Sequence, residues 1–291
     1  MGSYDSRGCE ATYTPPMRRQ GLAVTLALLI LSVPAAPGGQ SAPVPPDDAA
    51  KAEFLLKAKV VRSRVLDKGV TNSVRATLSD GTLTHDAHVQ TIDQTKAKFE
   101  GGRTVEIDFR DSWRFNVAAY RIDQLLSLNM VPVSVARDWR RSEAAYTWWV
   151  DDVLMDEEER GKKKIIPPNV GCWASQNAML RMFDQLIDNS DRNAGNIVIS
   201  NGWRVWGIDH TRAFRYSRAP RKPDHLTRID RGVLQRLREL DFAMLKREVG
   251  AYVTDRDIRF LLQRRDAIVA FFENAGGPRL FDRASTAGCP Y

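Results

Sequence analysis

The most specific chemical signal in the 291-residue chain comes from a few oxygen-bearing side chains set close together. Asp191 and Asn196 bracket the polar run Asp191-Arg192-Asn193-Ala194-Gly195-Asn196, and Asp209 follows in Ile208-Asp209-His210. Carboxylate and amide oxygens are hard donors, the kind magnesium prefers. Phosphoryl transfer needs one carboxylate beside an attacking hydroxyl, and further oxygens to hold metal against the phosphates. These three residues supply that set. Taken singly, Asp188 and Asp191 read as ordinary helix-end and turn acids. The ordered combination through Asp209 is what points to chemistry.

Particular elements must bring the three together. A helix over residues 173–187 has Met179, Leu180, Phe183, Leu186 and Ile187 on one inner face, and it ends in the loop that holds Asp191. Strands at 197–200 and 204–208 flank Asn201-Gly202, a strong hairpin signal, so Asn196 enters the ribbon and Asp209 leaves it. Upstream, strands are expected at 58–66, 73–78 and 84–92, separated by turn chemistry at 68–72 and at Ser79-Asp80-Gly81. The charged stretch 94–103, with its Gly pair, reads as a mobile loop. A helix to about residue 128 can be capped by Asp111 or Ser112, buries Phe115, Ala118, Ala119, Ile122, Leu125 and Leu126, and ends at Asn129. An extended segment at 131–133, a polar turn at 140–143 and a strand at 145–150 follow. Beyond a charged connector at 156–164 and the Pro167-Pro168 break, helices are expected at 233–240 and 242–252. A last helix is capped by Thr254 and ended by Gly276-Gly277. No internal repeat is present.

The loop pair, Asp191 to Asn196 with Ile208-Asp209-His210, resembles the catalytic and metal loops of phosphatidylinositol 3- and 4-kinases, HipA-type kinases and secreted Golgi-type kinases. The resemblance implies a two-lobed α+β kinase-like fold, with a small antiparallel-sheet lobe and a mainly helical lobe. It also implies ATP and Mg as cofactors. By that match Asp191 is the catalytic aspartate, and Asn196 and Asp209 are metal ligands. Weaker similarity covers most of residues 60–215. It makes the 68–73 turn, with Gly69 and Thr71, a phosphate-covering loop, though a plain surface hairpin fits that turn equally well. Residues 148–153, with Trp149, fall at the hinge that contacts adenine.

Two departures from the family pattern stand out. Gln90 occupies the third-strand position where a lysine normally holds the α- and β-phosphates, and Asn116 the helix position of its glutamate partner. Both charges are missing together, and a Gln–Asn hydrogen bond would keep the geometry without the charge. Arg110, Lys96 and Lys98 are the nearby cations considered as substitutes. Arg192 and Arg212 are read as orienting the loops or binding substrate phosphate, with surface salt bridges as the plainer alternative. His210 reads as a packing residue, and the tryptophans 148, 149, 203 and 206 as core or rim.

Composition narrows the rest. A hydrophobic fraction of 43% can fill a core, which excludes wholesale disorder. The net charge of +7 is spread among acids, not gathered in a stripe, so a nucleic-acid partner is not expected. Met17-Arg18-Arg19, the apolar run at 22–33 and Val33-Pro34-Ala35 read as a secretory signal, with a membrane anchor as the alternative. The expected organisation is a leader at 1–36, a tether at 37–50 and a kinase-like domain at 51–288, divided near residue 150. Cys172 and Cys289 have no zinc-like spacing. If the protein is exported they could pair, although two free cysteines are the favoured reading. The expected activity is ATP-dependent transfer to a hydroxyl on a protein, lipid or small molecule. The rival is an exported pseudokinase that binds or scaffolds without transfer.

Overall fold

The structure is a computed structural model that describes residues 46–66, 73–101, 104–283 and 288–291. The leader, the suggested phosphate loop at 68–72 with Gly69 and Thr71, and the tether through residue 45 lie outside the described residues. The first helix, α1 (Asp48–Lys57), begins inside the stretch read as tether. Asp47 caps it by accepting the Ala50 N–H at 2.8 Å, and Arg137 closes its other end on the Leu55 and Ala58 carbonyls, each at 2.8 Å. A cap and a tertiary arginine make a stable helix from a segment with little amphipathic pattern of its own.

Strands β1 (Lys59–Val65), β2 (Val74–Ser79) and β3 (Thr84–Gln90) form an antiparallel meander. Ala76, Leu78, Ala87 and Val89 point into the core. The supposed mobile loop is a ribbon instead: β4 (Asp93–Gly101) pairs antiparallel with β5 (Thr104–Ser112). Its stability comes from distant partners. Phe99 packs on Phe109 with ring centroids 4.3 Å apart, Arg212 stacks 4.3 Å above Phe109, and Glu106 ion-pairs with Arg212 and Arg215. None of those contacts is visible in local periodicity.

Helix α2 (Arg114–Leu126) follows, with Phe115, Ala118, Ala119, Ile122 and Leu126 buried as its spacing requires. Of the two expected caps, Ser112 accepts the Arg114 N–H at 3.3 Å from one residue before the N-cap position, which Trp113 holds without a side-chain bond, and Asp111 belongs to β5. Ser127 turns left-handed at the C-terminal end, two residues before Asn129, which is also left-handed. Strands β6 (Ser134–Trp139) and β7 (Ser142–Trp148) complete an antiparallel sheet in the order β1-β2-β3-β7-β6.

The connector beyond residue 150 is ordered rather than irregular. Strand β8 (Val153–Asp156) runs into helix α3 (Glu157–Lys163), capped by Asp156 and laced by Glu–Lys pairs one turn apart. Helix α4 (Val170–Ile187) carries its inner face at Met179, Leu180, Phe183, Leu186 and Ile187. The hairpin β9 (Ile197–Ser200) and β10 (Arg204–Gly207) pairs as expected, and β8 adds a third strand beside β9. A two-residue strand, β11 (Ile229–Asp230), leads into helices α5 (Arg231–Glu239), α6 (Phe242–Val249) and α7 (Asp255–Ala275). Thr254 and Asp257 form a reciprocal capping box on α7, and Gly276 ends it. A short strand, β12 (Leu280–Phe281), pairs parallel with β11.

The tail then returns to α4, where Cys172 and Cys289 are disulfide-bonded with Cα atoms 5.6 Å apart. This corrects the reading of two free thiols. The two cysteines are 117 residues apart in the chain, and the parallel β11–β12 pairing and the Arg283 bonds to Asp230 and Ser127 hold the tail on this side of the molecule. One apolar core runs from Phe54 and Leu55 through α2 and α4 to Ile268 and Phe272 on α7. Among the described residues no helix is long and apolar enough to cross a membrane.

Candidate active site

The site grows from the C-terminal end of α4. Asp188 caps the helix in left-handed conformation, at φ 52°, and is buried. Its carboxylate accepts from Arg221 Nε at 2.5 Å and the Ser217 N–H at 3.1 Å. Arg264 of α7, fully buried, donates to the Leu186 carbonyl at 2.7 Å and the Ser217 carbonyl at 2.6 Å. Burial lowers its pKa to about 10, so it stays charged near neutral pH. The loop bearing Asp191 is thus fixed from both sides.

Arg192 is the clasp of the site. Its guanidinium forks onto both oxygens of Asp184 on α4, with Nε at 3.0 and 3.2 Å. It also donates to the Asn196 carbonyl at 2.7 Å and the Ile208 carbonyl at 2.5 Å, and meets His210 Nε2 at 2.8 Å. One planar side chain therefore ties α4 to both the Asp191 loop and the Asp209 loop. Gly207 permits this approach: a Cβ there would lie 2.6 Å from Leu180 Cδ1 and 3.3 Å from Arg192 Nη2. His210 is 1% exposed and packs edge-on against Phe183. Burial, with Arg192 beside it, holds its pKa well below the usual imidazole value.

Asp191, Asn196 and Asp209 all line one cleft of about 1020 Å³ between the sheet and the helical part. Burial pushes the Asp191 carboxyl above its ordinary pKa, and Asp209 adds to that while Arg212 and Arg192 oppose it. Asp209 is left-handed, at φ 52°, and its Oδ1 accepts from the Thr211 hydroxyl at 3.1 Å. Asn196 donates through Nδ2 to the Asp191 carbonyl at 3.5 Å. The amide oxygen of Asn196, the atom a cation would use, has no donor among the described residues.

Of the two departures from the family pattern, Asn116 lines the cleft and Gln90, 1% exposed, does not. Asn116 Nδ2 donates to Gln90 Oε1, and Asn116 Oδ1 accepts the His210 N–H at 2.7 Å. Gln90 Nε2 lies 3.4 Å from Asp209 Oδ1 and 3.5 Å from Ser73 Oγ. The pair is a neutral hydrogen bond joining β3, α2 and the Asp209 loop. Trp149 lines the cleft where the hinge was expected, with Arg75 stacked 4.1 Å from its ring and His88 edge-on at 6.4 Å. His88 lines the cleft as well, and burial lowers its pKa although Asp209 counteracts.

The suggested substitute cations lie elsewhere. Arg110 is locked to Asp257 at 2.5 Å and to the Phe214 carbonyl at 2.7 Å. Lys98 pairs with Glu100, and Lys96 sits over Phe99 and Phe109. Arg212 and Arg64 are the arginines that line the cleft. Sequence reasoning also missed Asp111 as a cleft residue, having assigned it to a helix cap. Its lone carboxylate just before an amphipathic helix gave no other signal.

The donor set suits a magnesium-like ion. Among the described residues no group of three His, Cys, Asp or Glu side chains forms a complete cage. Magnesium usually takes one or two carboxylates and completes its shell with phosphate oxygens and water, which Asp209 and Asn196 can accommodate.

The N-terminal antiparallel sheet and the helical part that follows it have a protein-kinase-like fold. No protein-family model and no curated protein matches the chain. Solved structures do. The chain is similar to a Fam20 protein of hydra, solved with sugar, at 15% identity and TM-score 0.59, over 82% of this chain and 94% of that one. It is also similar to the Golgi casein kinase with Mn/ADP bound, at 12% identity and TM-score 0.53, over 81% of this chain and 78% of that one.

Proposed function

We propose that the protein transfers the γ-phosphoryl group of ATP to a hydroxyl-bearing acceptor, using a divalent cation. The observation that carries this reading is the convergence of Asp191, Asn196 and Asp209 on one cleft between sheet and helices. In this scheme Asp191 orients the acceptor hydroxyl and accepts its hydrogen bond. Asp209 and Asn196 supply oxygens to the cation, by which charge on the phosphates is neutralised. Trp149 and the residues around it form the wall for the base. Gln90 offers an amide donor to a phosphate but no charge. The Asp191-to-Asn196 signature resembles those of phosphatidylinositol 3- and 4-kinases, HipA-type kinases and secreted Golgi-type kinases, and a Golgi casein kinase is among the similar folds. Export fits the reading, because the Cys172–Cys289 disulfide persists best in an oxidising compartment.

Melting the full chain with ADP or ATP, each with Mg²⁺ or Mn²⁺, tests nucleotide binding, and transfer of labelled γ-phosphate tests the chemistry. Asp191→Asn is expected to keep the nucleotide-induced shift and lose transfer, and Asp209→Asn to lose both. A chain whose melting no nucleotide–metal combination moves would sink the reading. The neutral Gln90–Asn116 pair favours a second reading, a nucleotide-binding pseudokinase that docks partners. That protein would show the shift without transfer.

A further inference from the structure

Asp111 is a buried acid in the cleft to which the scheme above gives no task. It is 8% exposed, lines the same cavity as Asp191 and Asp209, and its Oδ1 has no hydrogen-bond partner. A buried ionised oxygen without a donor is unfavourable unless something positive arrives. Asp111 is also not a loose surface acid. The neighbouring Ser112 N–H donates to the Thr211 carbonyl at 2.9 Å, which stitches the end of β5 to the loop of Asp209.

The shortage of donors extends across the loop. The Thr211 hydroxyl donates to Asp209 Oδ1 at 3.1 Å and is not left for Asp111. One hydroxyl proton cannot serve two carboxylates. The negative charges of Asp209 and Asp191 bear on Asp111, and Arg212, the cation that offsets them, is shared with Glu106 while its Nε has no partner. Asn116 cannot help, since its amide is used on Gln90 and the His210 N–H. Asp111 Oδ1 and the Asn196 amide oxygen are thus both without a donor among the described residues.

We propose that Asp111 is a further ligand of the divalent cation held at Asp209, its Oδ1 meeting the ion directly or through a water the ion retains. β5 thus brings a second carboxylate to the site, in place of charge from α2. This rests on the metal-dependent reading above.

The test uses Mn²⁺ as probe, titrated into the full chain with and without ADP and followed by the electron paramagnetic resonance of free Mn²⁺. Asp111→Asn is expected to weaken Mn²⁺ binding by roughly 10- to 100-fold. In metal-free buffer the same variant is expected to melt at or above the wild-type temperature, because an unpaired buried charge is gone. Asp111→Glu should bind Mn²⁺ with intermediate affinity. Wild-type affinity in D111N, with Asp209→Asn abolishing binding, would overturn the assignment and leave the proposed function standing. A metal-free D111N that melts lower would overturn it too, since Asp111 would then be a structural bond. No Mn²⁺ binding by the wild type under any condition would instead remove the proposed function.

Discussion

Replacing Arg192 is the perturbation that probes the architecture of the site most directly. Arg192→Ala deletes the fork onto Asp184 and the bonds to the Asn196 and Ile208 carbonyls and to His210. It leaves the Asp184 carboxylate, 3% exposed, with the Asn189 amide at 3.0 Å as its remaining side-chain donor. Breaking a buried ion pair from one side costs about 3–5 kcal/mol. The carbonyl bonds share the same guanidinium, so their loss is contained in that figure and not added to it. For a domain of this size each kcal/mol moves Tm by about 2–4 °C, which gives a fall of roughly 6–20 °C. Arg192→Lys keeps the charge but not the fork, and is expected to recover less than half of the loss. In a cycle with Asp184→Asn the two changes should be non-additive, with coupling of about 1–3 kcal/mol. Calorimetry of the four proteins, with and without ADP and Mn²⁺, reads all of this. An R192A protein that melts within about 1 °C of wild type and keeps its nucleotide shift would refute the clasp.

Further outcomes follow from other parts of the molecule. Reducing the Cys172–Cys289 bond, or replacing Cys289 by Ser, is expected to cost about 2–5 kcal/mol, seen as a lower urea midpoint that reductant no longer changes in the variant. Burial raises the Asp123 carboxyl to about 7, against the opposing pull of the Met130 and Val131 N–H groups. A raised folded-state value means that its contribution to stability is complete below the ordinary carboxylate pKa and is lost as pH rises to about 7. Asp123→Asn should flatten the stability–pH curve over that window, and an unchanged slope would count against the assignment. Because Gln90 Nε2 lies 3.4 Å from Asp209 Oδ1, a lysine at that position faces the same loop. The double change Gln90→Lys with Asn116→Glu is expected to tighten ATP binding about tenfold, or ~1.4 kcal/mol, by isothermal titration. Weaker binding would mean that the amide pair is itself adapted to the ligand.

What could be read in advance followed from short-range rules. The hydrophobic spacing of α4, the Asn201-Gly202 turn, the capping box of Thr254 and the alternation of β2 and β3 all depend on neighbours within a few residues, and each element stands where it was expected. The loops of Asp191 and Asp209 were legible for the same reason, since helix and hairpin fix where they emerge. The hydrogen bond between Gln90 and Asn116 was foreseeable from complementary amides.

Other features depended on partners far along the chain, and only the tertiary structure decided them. The β4–β5 ribbon looked like a loop because its order comes from Arg212 and Arg215, about a hundred residues later in the chain. The same ribbon carries Asp111 into the cleft, which no local pattern around that residue could indicate. The disulfide joins residues 117 apart in the chain, and the clasp of Arg192 required α4, β9 and β10 to meet at one point. Periodicity reports which face of an element is buried, but not which distant charge will come to lie against it.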